Sequence, residues 1–334
     1  MKALITGAAG FIGSHLCERL LGDGWRVVGV DNFDDFYDPQ IKGRNIDSCL
    51  KNKYFQLTEA DIRDIDAMDT TISDGVDIII HLAARAGVRP SIAQPLLYAD
   101  VNVNGTMVLL EAAKKHKVSK FIFGSSSSVY GNNEKVPFSE DDNVDFPISP
   151  YAATKKAGEL ICHTYHHLYG IDVTCLRYFT VYGPRQRPDL AIHKFAKLIE
   201  QRKPIPVYGD GTASRDFTYI DDIIDGTVAA INQLVARRSA VRRPAEGHGS
   251  RDTGHGFTIY NLGHSHPITV NDLIVEIEKA LGKKAIKEYL PSQPGDVERT
   301  YADITKAAKD LGYNPTTTIQ AGLAKFVTWL RNTT

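Results

Sequence analysis

Short apolar runs alternate along the first half of the chain with stretches whose apolar residues return every three or four positions. Residues 2–6, with Ala3-Leu4-Ile5, lead into Ile12, Leu16, Leu20 and Leu21, and further apolar runs fall at 26–30, 54–57, 76–80, 121–123 and 173–179. Runs that stay apolar at successive positions lack the in-out alternation of a half-exposed sheet, so they read as strands covered on both faces. Strands separated by helical patterns predict an α/β fold built on a doubly wound parallel sheet. One long helix is expected over 95–116, carrying Asn102 and Gly105 inside its apolar stripe, and the polar stretch 34–44 reads as an irregular excursion.

Past residue 180 the texture changes. Gly183, Pro184 and clustered charge mark a loop crossing into a second region. A strand at 258–262 and helices at 270–281, 303–311 and 319–331 complete the chain, and residues 236–256, with much Arg, Gly, Ser and Pro, read as a mobile surface insert. At 334 residues the chain exceeds one usual compact domain. The expected division is a sheet domain over 1–180, with a return segment at 216–263, and a smaller C-terminal α/β domain over 181–334.

Composition removes several classes of partner. With 43% hydrophobic and 24% charged residues and a formal net charge of −1, nothing points to nucleic acid or membrane. Cys17, Cys49, Cys162 and Cys175 lie far apart with no ligand spacing, as expected of free thiols in a reducing compartment. His163, His166 and His167 share one helix without a spaced third ligand, so no metal site is expected. The N-terminal apolar run breaks at Gly7, too soon for a signal peptide, and the protein is expected in the cytoplasm.

Three sets of residues carry chemistry. The first strand runs into Gly7, Gly10, Phe11, Ile12 and Gly13 and then a helix, the arrangement that lets backbone and helix N-terminus approach a pyrophosphate. The second strand ends in Asp31, where a carboxylate accepts from both ribose hydroxyls and repels a 2′-phosphate, favouring NAD over NADP. Leu82, Ala83 and Ala84 leave room for a cofactor across the strand ends, with Arg85 and Arg89 on the loop beyond. Second, the serines Ser125, Ser126, Ser127 and Ser128 follow a buried strand, and Ser149-Pro150 opens a helix that places Tyr151 and Lys155 on one face. A phenol beside an ammonium is a candidate base, since a nearby cation stabilises the phenolate, and Ser126 can bond the same substrate hydroxyl. Third, Val207, Tyr208 and Arg215 offer an aromatic platform and a cation for a nucleobase and a diphosphate.

With its glycine pattern, Asp31, the Ser126/Tyr151/Lys155 trio and Val129-Tyr130-Gly131, the chain resembles the extended short-chain dehydrogenases/reductases over essentially its whole length. Within them, residues 31–38, 151–156, 179–189 and Gln293-Pro294-Gly295-Asp296-Val297 closely resemble bacterial UDP-glucuronate 4-epimerases. The resemblance implies a Rossmann domain with tightly held NAD, a UDP-sugar substrate and a homodimer. Carried over, it implies Tyr151 as base, Lys155 as its pKa partner and nicotinamide-ribose contact, and Ser126 as partner of the substrate hydroxyl. Asn32, Asp61, Ile62 and Asn102 join the cofactor contacts, and Asp189, Leu190, Tyr208, Arg215 and Asp296 the UDP contacts. Related decarboxylases and dehydratases carry Glu just before Val129, where this chain has Ser127 and Ser128. With Thr180, and with Arg185 or Arg89, these hydroxyls are expected to hold a sugar carboxylate. UDP-glucuronate and UDP-galacturonate are therefore the expected substrate pair. A neutral UDP-glucose/galactose-type 4-epimerase, a UDP-glucuronate decarboxylase and an idle NAD-sensing scaffold are the alternatives.

Overall fold

In the computed structural model, which describes residues 1–237 and 256–333, every apolar run of the first half becomes a strand. These are β1 (Lys2–Thr6), β2 (Arg26–Asp31), β3 (Phe55–Glu59), β4 (Ile78–His81), β5 (Lys120–Ser126) and β6 (Asp172–Tyr178). The helices between them are α1 (Phe11–Gly22), α2 (Pro39–Leu50), α3 (Ile65–Ser73), α4 (Val88–Ala93), α5 (Pro95–Ala99), α6 (Gly105–Lys115) and α7 (Pro150–Tyr169). The polar stretch 34–44 is thus only partly irregular. Asp38 caps α2 by accepting from the N–H of Gln40, and Pro39 pre-sets the first turn, so the helix starts inside a polar sequence. The long helix expected over 95–116 is a continuous path, but its middle, Asp100–Asn104, is a π turn.

Beyond β6 come β7 (Thr180–Tyr182), α8 (Ala191–Glu200), β8 (Pro204–Tyr208), β9 (Ser214–Tyr219), α9 (Ile220–Ala236) and β10 (Phe257–Leu262). The chain ends with β11 (Pro267–Thr269), α10 (Val270–Leu281), β12 (Ile286–Leu290), α11 (Thr305–Leu311) and α12 (Ile319–Thr333). The main sheet is parallel throughout, in the order β10-β6-β5-β4-β1-β2-β3. β10 therefore comes back from the second region to cover the outer edge of β6, with Phe257 opposite Val173 and Leu262 opposite Tyr178. Two small sheets, β11-β9-β7 and β12-β8, make up the strands of the second region. The insert expected at 236–256 falls, from 238 to 255, outside the described residues.

Each face of the main sheet has its own core. On one side Leu16 and Leu20 of α1 meet Ile223 and Ile231 of α9; on the other, Ile72, Leu109, Leu110 and Cys162 cover Leu4, Ile79 and Phe121. A smaller cluster of Val129, Tyr130, Phe138, Phe179 and Ala302 lies beneath the loops after β5 and β6. α7 lies directly on β5, because a Cβ on Gly158 would stand 2.2 Å from Cζ of Phe123. Among the described residues no helix is long and apolar enough to cross a membrane, and no three His, Cys, Asp or Glu gather as metal ligands.

Under the site α7, β5 and β6 share one buried ion pair. Arg177 donates from Nε and Nη2 to the two oxygens of Glu159 at 2.8 and 2.9 Å, and Ser125 adds its hydroxyl to Glu159 Oε1 at 2.6 Å. Glu159→Gln keeps the shape but leaves the guanidinium uncompensated in a dry interior. It should destabilise the protein by about 3–5 kcal/mol, read as a lower urea midpoint, and a change within error would show that the pair contributes nothing.

Candidate active site

The carboxyl ends of β1, β2, β4 and β5 border a cleft of about 480 Å³, at the place where the strand order reverses between β1 and β4. Gly7, at φ +70°, turns the chain out of β1, and a Cβ on Gly13 would fall 2.0 Å from the Gly7 carbonyl oxygen. Only glycine at 13 lets α1 start against that turn. The N-cap Gly10 supplies no side chain to the first turn, so the N–H groups there stay free for an anion. Phe11, Ile12, Ile62, Leu82, Ala83 and Ala84 also line the cleft.

Asp31 closes β2 inside the same cleft. Its Oδ2 accepts from the N–H of Ala9 at 3.0 Å and its Oδ1 from Phe33 at 2.9 Å, with Lys42 Nζ 3.8 Å away. Burial raises its pKa against the pull of Lys42 and of those two N–H groups. Asn32 donates to Asp61 Oδ2 at 3.0 Å, and Arg63 holds the Asp61 carboxyl down to about 2. A glycine cradle, an uncapped helix start and a carboxylate at the end of the second strand suit a dinucleotide lying across β1 and β2.

The reacting end is built by α7 and β5. Ser149 caps α7 by accepting from the N–H of Ala152, and Pro150 holds the first turn, so Tyr151 and Lys155 emerge one turn apart into the cleft. Ser126, the last residue of β5, draws the pKa of the Tyr151 hydroxyl down and donates to Ser128 Oγ at 3.1 Å. The Tyr98 ring meets that of Tyr151 edge-on, centroids 6.3 Å apart. Lys155 Nζ, however, donates to the Gly124 carbonyl at 2.7 Å. The cation that bears on Tyr151 is Arg187, not Lys155, and burial still raises the phenol's pKa above its ordinary value despite Arg187 and Ser126. The partnership expected between Lys155 and the Tyr151 phenol is thus not what sets the phenol's pKa in this arrangement. Ser127, Ser128, Thr180 and Leu190 line the same end of the cleft.

Other expected residues sit differently. Asn102 is buried and its amide is spent, accepting from the N–H of Arg85 and donating to the Arg85 carbonyl and to Thr154 Oγ1. It fixes the loop after β4 instead of facing a cofactor. Arg185 adopts φ +64° and turns to the other side of the loop, where Glu18 takes both of its Nη2 contacts at 2.7 and 2.9 Å. Arg187 stands in the cleft in its place, paired through Nε and Nη2 with Asp189 at 3.0 and 2.8 Å. Asp189 thus reaches the site through Arg187. Val207 is fully buried among core residues and offers no side chain to a ligand. Arg89, Tyr208 and Asp296 gather apart from the cleft lining, with the Arg89 guanidinium 4.0 Å from the Tyr208 ring centre and 2.5 Å from Asp296 Oδ2. Arg215 stands beside Arg89 and Asp296, its pKa lowered by burial. Residue type and spacing passed over Arg187, Phe36, Tyr37 and Lys42, all of which line the cleft. The sole signal for Arg187 was its place in the charged loop after β7, which holds two arginines equally.

Burial lowers the Lys155 ammonium to about 8, with Cys162 and Glu159 opposing. Its folded pKa lies below the unfolded one, so the native state loses this charge first as pH rises through about 8. If Lys155 meets the nicotinamide ribose as the resemblance implies, affinity for NAD, measured by calorimetry, should weaken between about pH 7 and pH 9, and Lys155→Met should remove that dependence. An unchanged pH profile in Lys155→Met would show that another group is responsible.

The GDP-mannose 4,6 dehydratase family model matches residues 4–326. The chain is 45% identical over 328 residues to UDP-glucuronate 4-epimerase of Thermodesulfobacterium geofontis, spanning 98% of this chain and 95% of that one. It is 44% identical over 336 residues to UDP-glucuronate 4-epimerase 4 of Arabidopsis thaliana, spanning 98% and 75%. Its structure is similar to that of UDP-glucuronic acid 4-epimerase from Bacillus cereus in complex with UDP-glucuronic acid and NAD, with a TM-score of 0.89 at 41% identity over 100% of both chains. It is also similar to UDP-glucose 4-epimerase of Thermotoga maritima with UDP-glucose, with a TM-score of 0.85 at 32% identity over 100% and 99%. Glycine cradle, strand-end acid, tyrosine-lysine helix and these likenesses converge, and the chain belongs to the GDP-mannose 4,6-dehydratase-like branch of the extended short-chain dehydrogenases/reductases.

Proposed function

We infer that this chain is an NAD-dependent UDP-glucuronate 4-epimerase that interconverts UDP-glucuronate and UDP-galacturonate. The observation that carries the reading is the end of the cleft around Tyr151, where Ser127, Ser128, Thr180 and Arg187 offer three hydroxyls and a cation. Such a set receives a carboxylate, whereas a neutral sugar would leave Arg187 with no anion beyond Asp189. NAD, held by Gly7, Gly10, Gly13 and Asp31, would supply a reversible hydride acceptor for sugar C4, so that the hydride could be returned to the opposite face.

The chain's own residues manage the proton and the sugar. Tyr151, as phenolate, accepts the proton of the 4-hydroxyl, and Ser126 bonds the same oxygen and stabilises the transfer. Arg187 favours the phenolate on the sugar side. Between the two transfers the sugar is a 4-ketone next to a carboxylate-bearing carbon, a β-keto acid prone to lose CO₂. Ser127, Ser128, Thr180 and Arg187 hinder that loss by holding the C5 carboxylate away from the orientation perpendicular to the carbonyl. The sugar then turns about its diphosphate linkage, and Tyr151 returns the proton on the new face.

The purified enzyme with UDP-glucuronate should give UDP-galacturonate with little UDP-pentose, and Tyr151→Phe should lower kcat by at least about a thousandfold while NAD stays bound. Mainly UDP-pentose would make the protein a decarboxylase. Faster turnover of UDP-glucose would make it a neutral-sugar epimerase, and no turnover of any UDP-sugar with NAD bound would make it the idle scaffold.

The same reading makes the protein a cytoplasmic homodimer. All four cysteines are buried free thiols, which suits a reducing compartment. Met107 on α6 and Leu160 and Leu168 on α7 stand exposed on adjacent helices, and a second copy covering them would complete a helical bundle. Leu160→Glu should halve the mass seen by light scattering; a monomeric parent, or a variant of unchanged mass, would reject this interface.

A further inference from the structure

Between the cofactor half and the sugar half of the cleft runs a segment that neither half accounts for. Residues 33–36 leave β2 through three side-chain-to-backbone turns. Asp31 Oδ1 accepts from the N–H of Phe33, Asn32 Oδ1 from Asp34 and Asp34 Oδ1 from Phe36, at 2.9, 3.1 and 2.9 Å. Phe33 sits at φ +50°, a backbone region that bulky residues seldom enter, so the path is imposed by these bonds and not by local preference. The two phenylalanines then part company. Phe33 packs against a hydrophobic core, while Phe36 belongs to none of them and lines the cleft.

Two guanidinium groups use the Phe36 ring. The carbon of Arg85 lies 5.5 Å from the ring centre and that of Arg187 lies 5.3 Å from it. Each cation has its own carboxylate. Arg85 Nη1 meets Asp34 Oδ1 at 2.7 Å, and Arg187 is held bidentately by Asp189. With both charges compensated, two arginines can share one ring without repelling each other apart. The Asp189 pair fixes one edge of the Arg187 guanidinium, and the ring fixes the rest of it. A flexible arginine loses rotamer freedom when it docks on an aromatic face, and the attraction strengthens where water is excluded.

We propose that Phe36 is a positioning residue that sets substrate choice: its ring holds the Arg187 guanidinium where the sugar carboxylate arrives. The preference for an acidic UDP-sugar is thereby tied to the segment that begins at the cofactor-side Asp31. This proposal rests on the reading of UDP-glucuronate as substrate, and the test separates the two.

The test is equilibrium binding by calorimetry to the full-length, NAD-loaded Tyr151→Phe protein, with UDP-glucuronate and UDP-glucose as paired probes. The parent should prefer UDP-glucuronate. Phe36→Ala and Phe36→Leu should each weaken UDP-glucuronate about five- to tenfold while changing UDP-glucose less than about twofold. Phe36→Trp, which restores a ring, should recover the preference, and Phe36→Leu should add nothing once Arg187→Ala is present. Phe36→Leu keeps the bulk, so it decides the matter if the alanine variant does not fold. A parent without preference overturns the acidic-sugar reading and the proposal with it. A parent that prefers the acid overturns the proposal alone if Phe36→Leu leaves both affinities intact, weakens both equally, or still weakens UDP-glucuronate without Arg187.

Discussion

The ion pair between Arg177 and Glu159 is what the rest of the structure depends on. The two side chains are 2% exposed or less, and taking such charges from water costs several kcal/mol per ion unless nearly every donor and acceptor is satisfied. Here the satisfaction is close to complete. Glu159 takes Arg177 twice and Ser125 once, and Arg177 Nη1 donates to the Tyr130 hydroxyl at 2.9 Å. That hydroxyl passes on to Asn261 Oδ1 at 2.7 Å, and Asn261 in turn bonds the carbonyls of Phe138 and Asp303. One network therefore pins β5, β6, β10, α7 and the turn after β5 to each other. Its value lies in geometry more than in net stability: Ser126 adjoins Ser125, and Tyr151 and Lys155 lie on the same helix as Glu159, so the groups proposed to react inherit its placement.

Above that network two cations divide the work that one was expected to do. Lys155 faces the Gly124 carbonyl and the Phe123 ring, on the side of the strand ends, while Arg187 bears on Tyr151 from the loop after β7. The phenol, with its pKa raised by burial, rests protonated. As the proposed base, a phenol that becomes competent only when its surroundings favour the anion suits a reaction that must both take a proton and give it back.

The legible parts of this molecule were those governed by local chemistry. Strand runs, the Gly7/Gly13 turn, Asp31 and the Ser149-Pro150 start of α7 follow from rules that act over a few residues, and the structure places them within about three residues of where the pattern predicts, β5 running on through Ser125 and Ser126. Polar sequence hid α2, because a helix buried on one narrow face can be capped by Asp38 and started by Pro39 without much apolar content. The sugar end was less readable because it is assembled from loops. Whether Arg185 or Arg187 enters the cleft turns on one left-handed residue, and that the Asn102 amide is consumed by the Arg85 backbone shows only once the two segments meet. Phe36 is a similar case: its sequence neighbour Phe33 serves a core, and nothing in residue type separates them.

The return of β10 to the main sheet has a consequence for the chain as it leaves the ribosome. Until residue 262 has been made, β6 carries an unpaired edge of backbone N–H and C=O groups, flanked by apolar residues on both faces. Such an edge invites pairing with other nascent chains. Asn261, which completes the polar chain leading down to Arg177, arrives with the same strand. The half that carries the glycine cradle thus waits for a late segment before its interior can close, so stalled or truncated synthesis would leave a sticky product and not a smaller working domain.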